Sequence, residues 1–232
     1  MIEPMQFGPE LNIPYQNYGK SLPRSLRKMS KHPQQPRVFN QAAILAGVGI
    51  PGTIVMLIII SVMTPRYFRG EHDDPYAVFV PILTMLLTLW MASMGLFRRY
   101  GVDQEKLWSK FGQIYYKEVR FDEVRAFGVQ PVNARYKIYD ADKKINLDYN
   151  RFDYTLAFIR LLEELQHRRF ELDGVSPEDP NWEDVAQLTR NDLAWSAYDN
   201  HRKYYDSHPQ DLAKLNALVL PPVNAQVHDE IR

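Results

Sequence analysis

The sequence predicts a membrane α-helical hairpin of two spans joined to a small α+β domain, with a helical extension behind it. Three observations predict this class. Two uncharged apolar runs, Ala42–Met63 and Tyr76–Phe97, are each 22 residues long and contain no Asp, Glu, Lys, Arg or His. Short strand-like segments rich in aromatic and β-branched residues then run from Arg99 to Leu147. From Phe152 the apolar period becomes helical.

At about 1.5 Å per residue, each apolar run reaches roughly 33 Å, enough to cross a hydrocarbon core of about 30 Å. The spans are expected at 42–63 and 76–97, within a hairpin covering 39–97. Ahead of them, residues 1–38 carry Lys20, Arg24, Arg27, Lys28, Lys31 and Arg37 against Glu3 and Glu10. The connecting segment Thr64–Pro75 has only Arg66 and Arg69 as cations, whereas Arg98, Arg99, Lys106, Lys110 and Lys117 follow the second run. Basic residues concentrate on the cytoplasmic side of spans, so both termini are expected to be cytoplasmic. The localisation this implies is a bacterial inner membrane, crossed more than once. The first run begins deep in the chain and shows no small-residue cleavage site, so a cleaved signal peptide is not the expectation.

Without an intramembrane ionisable group, the spans offer no proton relay or ion site of their own. Small residues gather on one face of each. Ala42, Ala46, Gly49 and Thr53 fall within about 60° at 100° per residue, as do Thr84, Thr88 and Gly95, with Ala92 slightly further round. Such stripes let helix backbones approach closely. Two readings follow: the stripes pack on each other as a hairpin, or one docks on a partner's membrane helix. Pro51, beside Gly49 and Gly52, is expected to kink the first span, and Pro81 to bend the start of the second.

Between the runs, Glu71-His72-Asp73-Asp74 resembles a metal cluster, but consecutive residues rarely converge on one ion. Gly70 and Pro75 bracket the segment as turn punctuation. The expectation is a solvated turn.

Residues 98–172 form the expected soluble domain. Strands are expected at Arg99–Val102, Lys106–Phe111, Ile114–Val119, Val124–Val129, Arg135–Tyr139 and Lys144–Leu147, separated by Asp-, Gly- and Pro-bearing turns. The helix Phe152–Arg168 presents Phe152, Leu156, Ile159, Leu162 and Leu165 on one face, with Asn150 or Asp153 available as a cap. Such strands closed by one amphipathic helix fit a small half-open β-barrel capped by that helix. Two apolar spans, a strand hairpin, the step Phe121-Asp122-Glu123-Val124, two more strands and a closing helix together resemble bacterial PH-like (pleckstrin-homology-like) membrane proteins over about residues 40–170. The resemblance implies a binding or scaffold domain held at the membrane, with no active site.

Lys106, Lys110, Lys117 and Arg120 are the candidate lipid-facing cations, each worth on the order of 1 kcal/mol beside anionic lipid. The first strand turn carries Asp103 and Glu105, so specific recognition of a head group is not expected.

The arm 1–38 is rich in proline and is expected to be irregular, with Tyr15 and Tyr18 among apolar residues that a partner could order. The extension 173–232 holds 11 acidic and 5 basic residues. It is expected to be helical to about Tyr205 with Asn181 as cap, then again over Pro209–Leu218. Trp182, Trp195 and Tyr198 either pack on the domain itself or face a partner.

The chain has no cysteine, which excludes disulfides, thiolate nucleophiles and iron–sulfur clusters. No H-E-x-x-H, Gly-rich phosphate loop or G-x-S-x-G elbow occurs. Neither an enzyme, a cofactor nor a nucleic-acid partner is expected. The expected role is a non-catalytic accessory or scaffold subunit of an integral membrane complex, such as a bacterial respiratory, secretory or transport assembly. The alternative is a membrane-tethered lipid or ligand sensor.

Overall fold

The computed structural model describes residues 30–40, 42–71, 74–130, 135–148 and 152–221. Tyr15, Tyr18, His72, Asp73, Asn150 and the Pro131–Asn133 turn lie outside the described residues.

Strand β1 (Arg37–Phe39) precedes helices α1 (Gly47–Phe68) and α2 (Tyr76–Phe97). Strands β2 (Arg98–Val102), β3 (Lys106–Phe111), β4 (Tyr115–Arg120), β5 (Ala126–Gln130), β6 (Arg135–Tyr139) and β7 (Lys144–Asp148) follow. Then come α3 (Thr155–His167), β8 (Glu171–Leu172), α4 (Trp182–Asn200), α5 (Arg202–Ser207) and α6 (Pro209–Ala217). The strands form two four-stranded sheets, in the orders β1-β2-β3-β4 and β7-β6-β5-β8, and neither closes into a barrel. The fold is therefore a pair of long apolar helices with a small α+β region of two sheets. The chain divides into two compact units, each described in turn: Val38–Tyr100 with Ser109–Tyr116, and Met1–Arg37 with Gly101–Trp108 and Lys117–Arg232.

The first unit holds the two long helices. A π-helical turn at Ala42–Ala46 leads into α1, which runs beyond the expected end at Met63 and through Pro65. A polar residue does not end a helix; a backbone device does. Here Gly70, at φ +73°, supplies it. The Gly70 N–H donates to the Tyr67 carbonyl at 3.0 Å and the Glu71 N–H to the Arg66 carbonyl at 3.0 Å, closing the last turn in a Schellman arrangement. α2 begins where Asp74 Oδ1 accepts the Tyr76 N–H at 2.9 Å, and it spans the expected residues 76–97. Only 11% of the most apolar window of the first helix and 6% of that of the second are buried. A helix in a soluble core would be mostly buried. These two are long and apolar enough to cross a membrane and leave Leu83, Phe79 and Ile58 more than half exposed.

In the second unit, β5, β6 and β7 pair antiparallel, with Tyr136 opposite Leu147 and Ile138 opposite Ile145. All four side chains are buried, as the two-residue alternation predicts. Phe127 stacks on Tyr136 at 5.5 Å, and Tyr136 meets Phe158 edge-on at 5.2 Å. Helix α3 buries its predicted apolar face and also Thr155, Ala157, Phe158 and Leu161. The extra burial has a cause: α4 packs against α3. The extension expected behind the domain thus supplies a core layer, with Ala186, Leu193, Ala194 and Ala197 buried on α4.

Two further local features differ from expectation. β8 adds a short parallel partner to β5, pairing Ala126 with Glu171 and Phe127 with Leu172. A two-residue strand carries no period for a sequence reading to detect. Asn181 precedes α4 but makes no side-chain cap; Asp179 instead accepts the Asn181 N–H at 2.8 Å. The long helix ends at Asn200, and α5 restarts at Arg202 beyond a break at His201.

Candidate functional site

The small residues of the two spans come together. A methyl group on Gly49 would stand 2.5 Å from the Ala92 backbone nitrogen and 2.7 Å from the Thr88 carbonyl oxygen. One on Gly95 would stand 2.5 Å from the Ala46 nitrogen. Glycine is required at both points because backbone meets backbone there. Thr53 Oγ1 donates to the Gly49 carbonyl at 2.7 Å and lies 3.1 Å from Thr88 Oγ1. Ala46, Gly49, Ala92 and Gly95 are buried, while Ala42, Thr53, Thr84 and Thr88 are half-buried. Thr84 bonds its own helix through the Val80 carbonyl. Ala46, Gly49, Thr53, Thr88, Ala92 and Gly95 therefore meet within the hairpin, and close packing of this kind is what stabilises helices against each other in lipid.

In the connecting turn, Glu71 pairs with Arg69 at 2.8 Å and Asp74 caps α2. The described carboxylates of the apparent metal cluster thus have local partners in the turn.

The candidate basic residues are largely compensated. Lys106 Nζ lies 2.7 Å from Glu118 Oε2. Arg120 bonds Asp122 at 3.1 Å and approaches Glu105 at 3.6 Å, and these carboxylates raise its already high pKa. Lys110 is exposed on β3 and Lys117 half-buried on β4. A cleft of about 550 Å³ beside β5 is lined by Arg125 and Lys137 but also by Asp140, Glu171 and Asp173. Its three carboxylates outnumber its two cations, which does not suit an anionic head group.

Among the candidate partner residues, Trp182 is corrected. Its ring is 1% exposed and its Nε1 donates to the Phe170 carbonyl at 2.8 Å, so it belongs to the chain's own core. The indole's large apolar area explains why burial wins. Trp195 and Tyr198 remain half-buried, with rings 6.0 Å apart, and Tyr198 donates to Asp206 at 2.8 Å.

The most concentrated polar chemistry lies around Asp153, which sequence reasoning treated only as a helix cap. It stands one residue ahead of Tyr154, the N-cap of α3, and makes no cap in that sense; its Oδ1 accepts the Thr155 N–H at 3.1 Å and the Thr155 hydroxyl at 2.6 Å. Asn200 Nδ2 in turn donates to that hydroxyl at 3.1 Å. The other oxygen, Oδ2, accepts the Ser30 N–H at 2.9 Å and the Ser30 hydroxyl, and lies 2.8 Å from His201 Nε2. Burial alone would raise this carboxyl. The His201 bond and charge, with Ser30 and Thr155, outweigh burial and hold it far below the ordinary carboxylate range.

A serine, a histidine and an aspartate within bonding distance invite comparison with a nucleophilic triad. The order is wrong for one. In a triad the serine hydroxyl donates to one imidazole nitrogen and the aspartate holds the other. Here the hydroxyl and Nε2 meet the same carboxylate oxygen, with the hydroxyl only 3.4 Å from Nε2, so the aspartate holds the imidazole by the very nitrogen that faces the serine and not by the opposite one. The arrangement is a tie that fixes Ser30 to the start of α3 and to the α4–α5 junction.

Other ties missed in the sequence are of the same kind. Arg168 donates to the Val124 and Phe121 carbonyls at 2.6 and 2.5 Å and to Glu164 at 2.7 Å, holding the Phe121–Glu123 turn. Arg190 is fully buried, with one nitrogen 2.7 Å from Glu183. Asp192 accepts the Tyr136 hydroxyl at 3.0 Å; burial pushes its carboxyl up to about 6, against the lowering effect of that bond and with help from Asp173. Spacing could not reveal the bonds of Arg168 to Val124 and Phe121 or of Asp192 to Tyr136, because those partners lie tens of residues apart.

No family model, no curated protein and no solved structure matches the chain.

Proposed function

We propose that the protein is a non-catalytic accessory or scaffold subunit of a larger integral membrane complex. It is anchored by the α1–α2 hairpin and presents its α+β region and extension on the cytoplasmic face of a bacterial inner membrane. The observation that carries this reading is the pairing of the small-residue stripes. With the seam used by the hairpin, most of the large apolar side chains of both helices are exposed. Such a surface needs lipid or other membrane helices around it. The polar clusters of the soluble region act as internal ties, which suits a rigid platform better than a reaction centre. The chain's resemblance to PH-like proteins agrees with a binding role, and the respiratory case is one possible host among membrane assemblies.

The second reading, a sensor of lipid or cytosolic ligand, is less well supported because Lys106 and Arg120 have carboxylate partners and the cleft beside β5 carries mixed charge.

Purification of the full chain through a C-terminal tag in mild detergent tests the proposal. Stoichiometric recovery of other membrane subunits supports it, and recovery of only the monomer overturns it. Flotation on anionic but not neutral vesicles, abolished by Lys110→Glu with Lys117→Glu, would favour the sensor instead.

A further inference from the structure

The β3–β4 turn has the wrong surface for a turn in water. Its residues Phe111-Gly112-Gln113-Ile114 lead into Tyr115-Tyr116. Ile114 is 89% exposed, Tyr116 56% and Tyr115 43%. Successive residues of a strand point to opposite faces. Exposure of both tyrosines therefore means that both faces of the strand are at least partly open at this end.

The turn belongs to the same compact unit as the long helices. The Gly112 N–H, on a residue at φ +54°, donates to the Phe97 carbonyl at 3.1 Å, and the Phe97 and Phe111 rings meet edge-on at 6.1 Å. Phe97 is the last residue of α2. The turn is thus fastened at the level where the apolar helix ends, and its exposed side chains continue the surface of Leu96 and Phe97.

The charge at this level has one sign. Residues 94–100 and 109–116 contain Arg98, Arg99 and Lys110 and no Asp or Glu. The Arg98 guanidinium carbon lies 5.3 Å from the Tyr100 ring and 6.0 Å from that of Tyr115. Aromatic rings with cations beside them are the composition of the membrane–water boundary, where amphipathic rings sit among head groups.

We infer that the β3–β4 turn is a second membrane contact, with Phe111, Ile114, Tyr115 and Tyr116 entering the head-group boundary of the leaflet in which α2 ends. The inference rests on the membrane-spanning reading of α2. The occupant is the lipid surface itself, argued from continuity with the apolar helix and from a segment sequence that holds cations and no carboxylate.

The absence of native cysteine makes the test direct. Single variants Ile114→Cys, Leu87→Cys and Asp142→Cys of the full chain are nitroxide-labelled and reconstituted in 3:1 phosphatidylcholine–phosphatidylglycerol vesicles. Power saturation compares collision with oxygen and with a water-soluble nickel chelate. Leu87, on the outer surface of α2, reports the span, and Asp142, in an exposed turn, reports water. The expected result is nickel accessibility at Ile114 several-fold below that at Asp142, with oxygen accessibility approaching that at Leu87. Nickel accessibility at Ile114 within two-fold of Asp142, while Leu87 stays shielded, overturns the contact and leaves the span standing. Nickel access at Leu87 overturns both.

Discussion

His201 Nε2 stands 2.8 Å from Asp153 Oδ2, and both side chains are buried. The same carboxylate oxygen accepts two bonds from Ser30. Removing one member of a buried charged pair strands the other, at a typical cost of about 3–5 kcal/mol. Asp153→Ala and His201→Ala are each expected to destabilise the detergent-solubilised protein by roughly 3 kcal/mol, and the double variant by much less than the sum. Near-UV circular dichroism during thermal unfolding reads this; additive losses would show that the two groups are not coupled. The depressed Asp153 carboxyl contributes stability that is present above the unfolded carboxylate value near 4 and is lost only as pH falls towards its much lower folded value. Acid unfolding of the parent should therefore extend well below pH 4.

Asp192 has the opposite sign. Its carboxyl is raised to about 6 in the folded chain, against about 4 unfolded, so the folded state holds the proton more tightly. Stability from this group falls as pH rises from about 4 through about 6, by on the order of 2 kcal/mol, and the penalty is complete above that. Asp192→Asn should flatten the melting-temperature profile over this window and leave the protein at least as stable at pH 7. An unchanged profile in the variant would falsify the assignment.

The seam between the spans predicts a cross-link. In a chain otherwise free of cysteine, Thr53→Cys with Thr88→Cys places two thiols where hydroxyl oxygens lie 3.1 Å apart. Mild oxidation should join the helices, so that cleavage at a protease site engineered into the 71–74 turn leaves one band until reductant is added. Adding Gly49→Leu should abolish the joined band, because the new side chain must occupy the space of the Ala92 backbone.

Trp182 and Trp195 should behave differently. Trp182→Ala empties a buried site and loses an indole bond, at a cost of roughly 3–5 kcal/mol. Trp195→Ala, at a half-buried position, should cost about 1 kcal/mol and instead reduce recovery of co-purifying subunits. Equal losses of stability in the two variants would remove Trp195 from the interface candidates.

The elements that were legible in the sequence are those whose period is long or strict. Tyr76–Phe97 reads off composition alone, and the Tyr136/Ile138 and Ile145/Leu147 alternations give the burial of β6 and β7. The small-residue stripes were visible too, although their partner was not: a stripe announces close approach without saying to what. The sequence leaves open whether α4 packs on the domain or faces a partner, because several of its core residues, Ala186, Ala194 and Ala197, are small and do not mark an apolar face. The Asp153 cluster was out of reach for a different reason. Ser30, Asp153 and His201 are joined only by the fold, and each alone is an ordinary polar residue.

The threonine pair in the seam bears on how such a hairpin would be made. Thr53 bonds the Gly49 carbonyl at 2.7 Å and Thr88 the Met85 carbonyl at 3.0 Å, each within its own helix. Neither hydroxyl depends on the other helix to be satisfied. On emerging from the insertion machinery, α1 could therefore rest alone in lipid with its seam hydroxyl satisfied until α2 arrived. Assembly of the two helices would then be a separate, later step, governed by backbone fit at Gly49 and Gly95. A variant blocked at the glycines would still insert and would fail only in pairing.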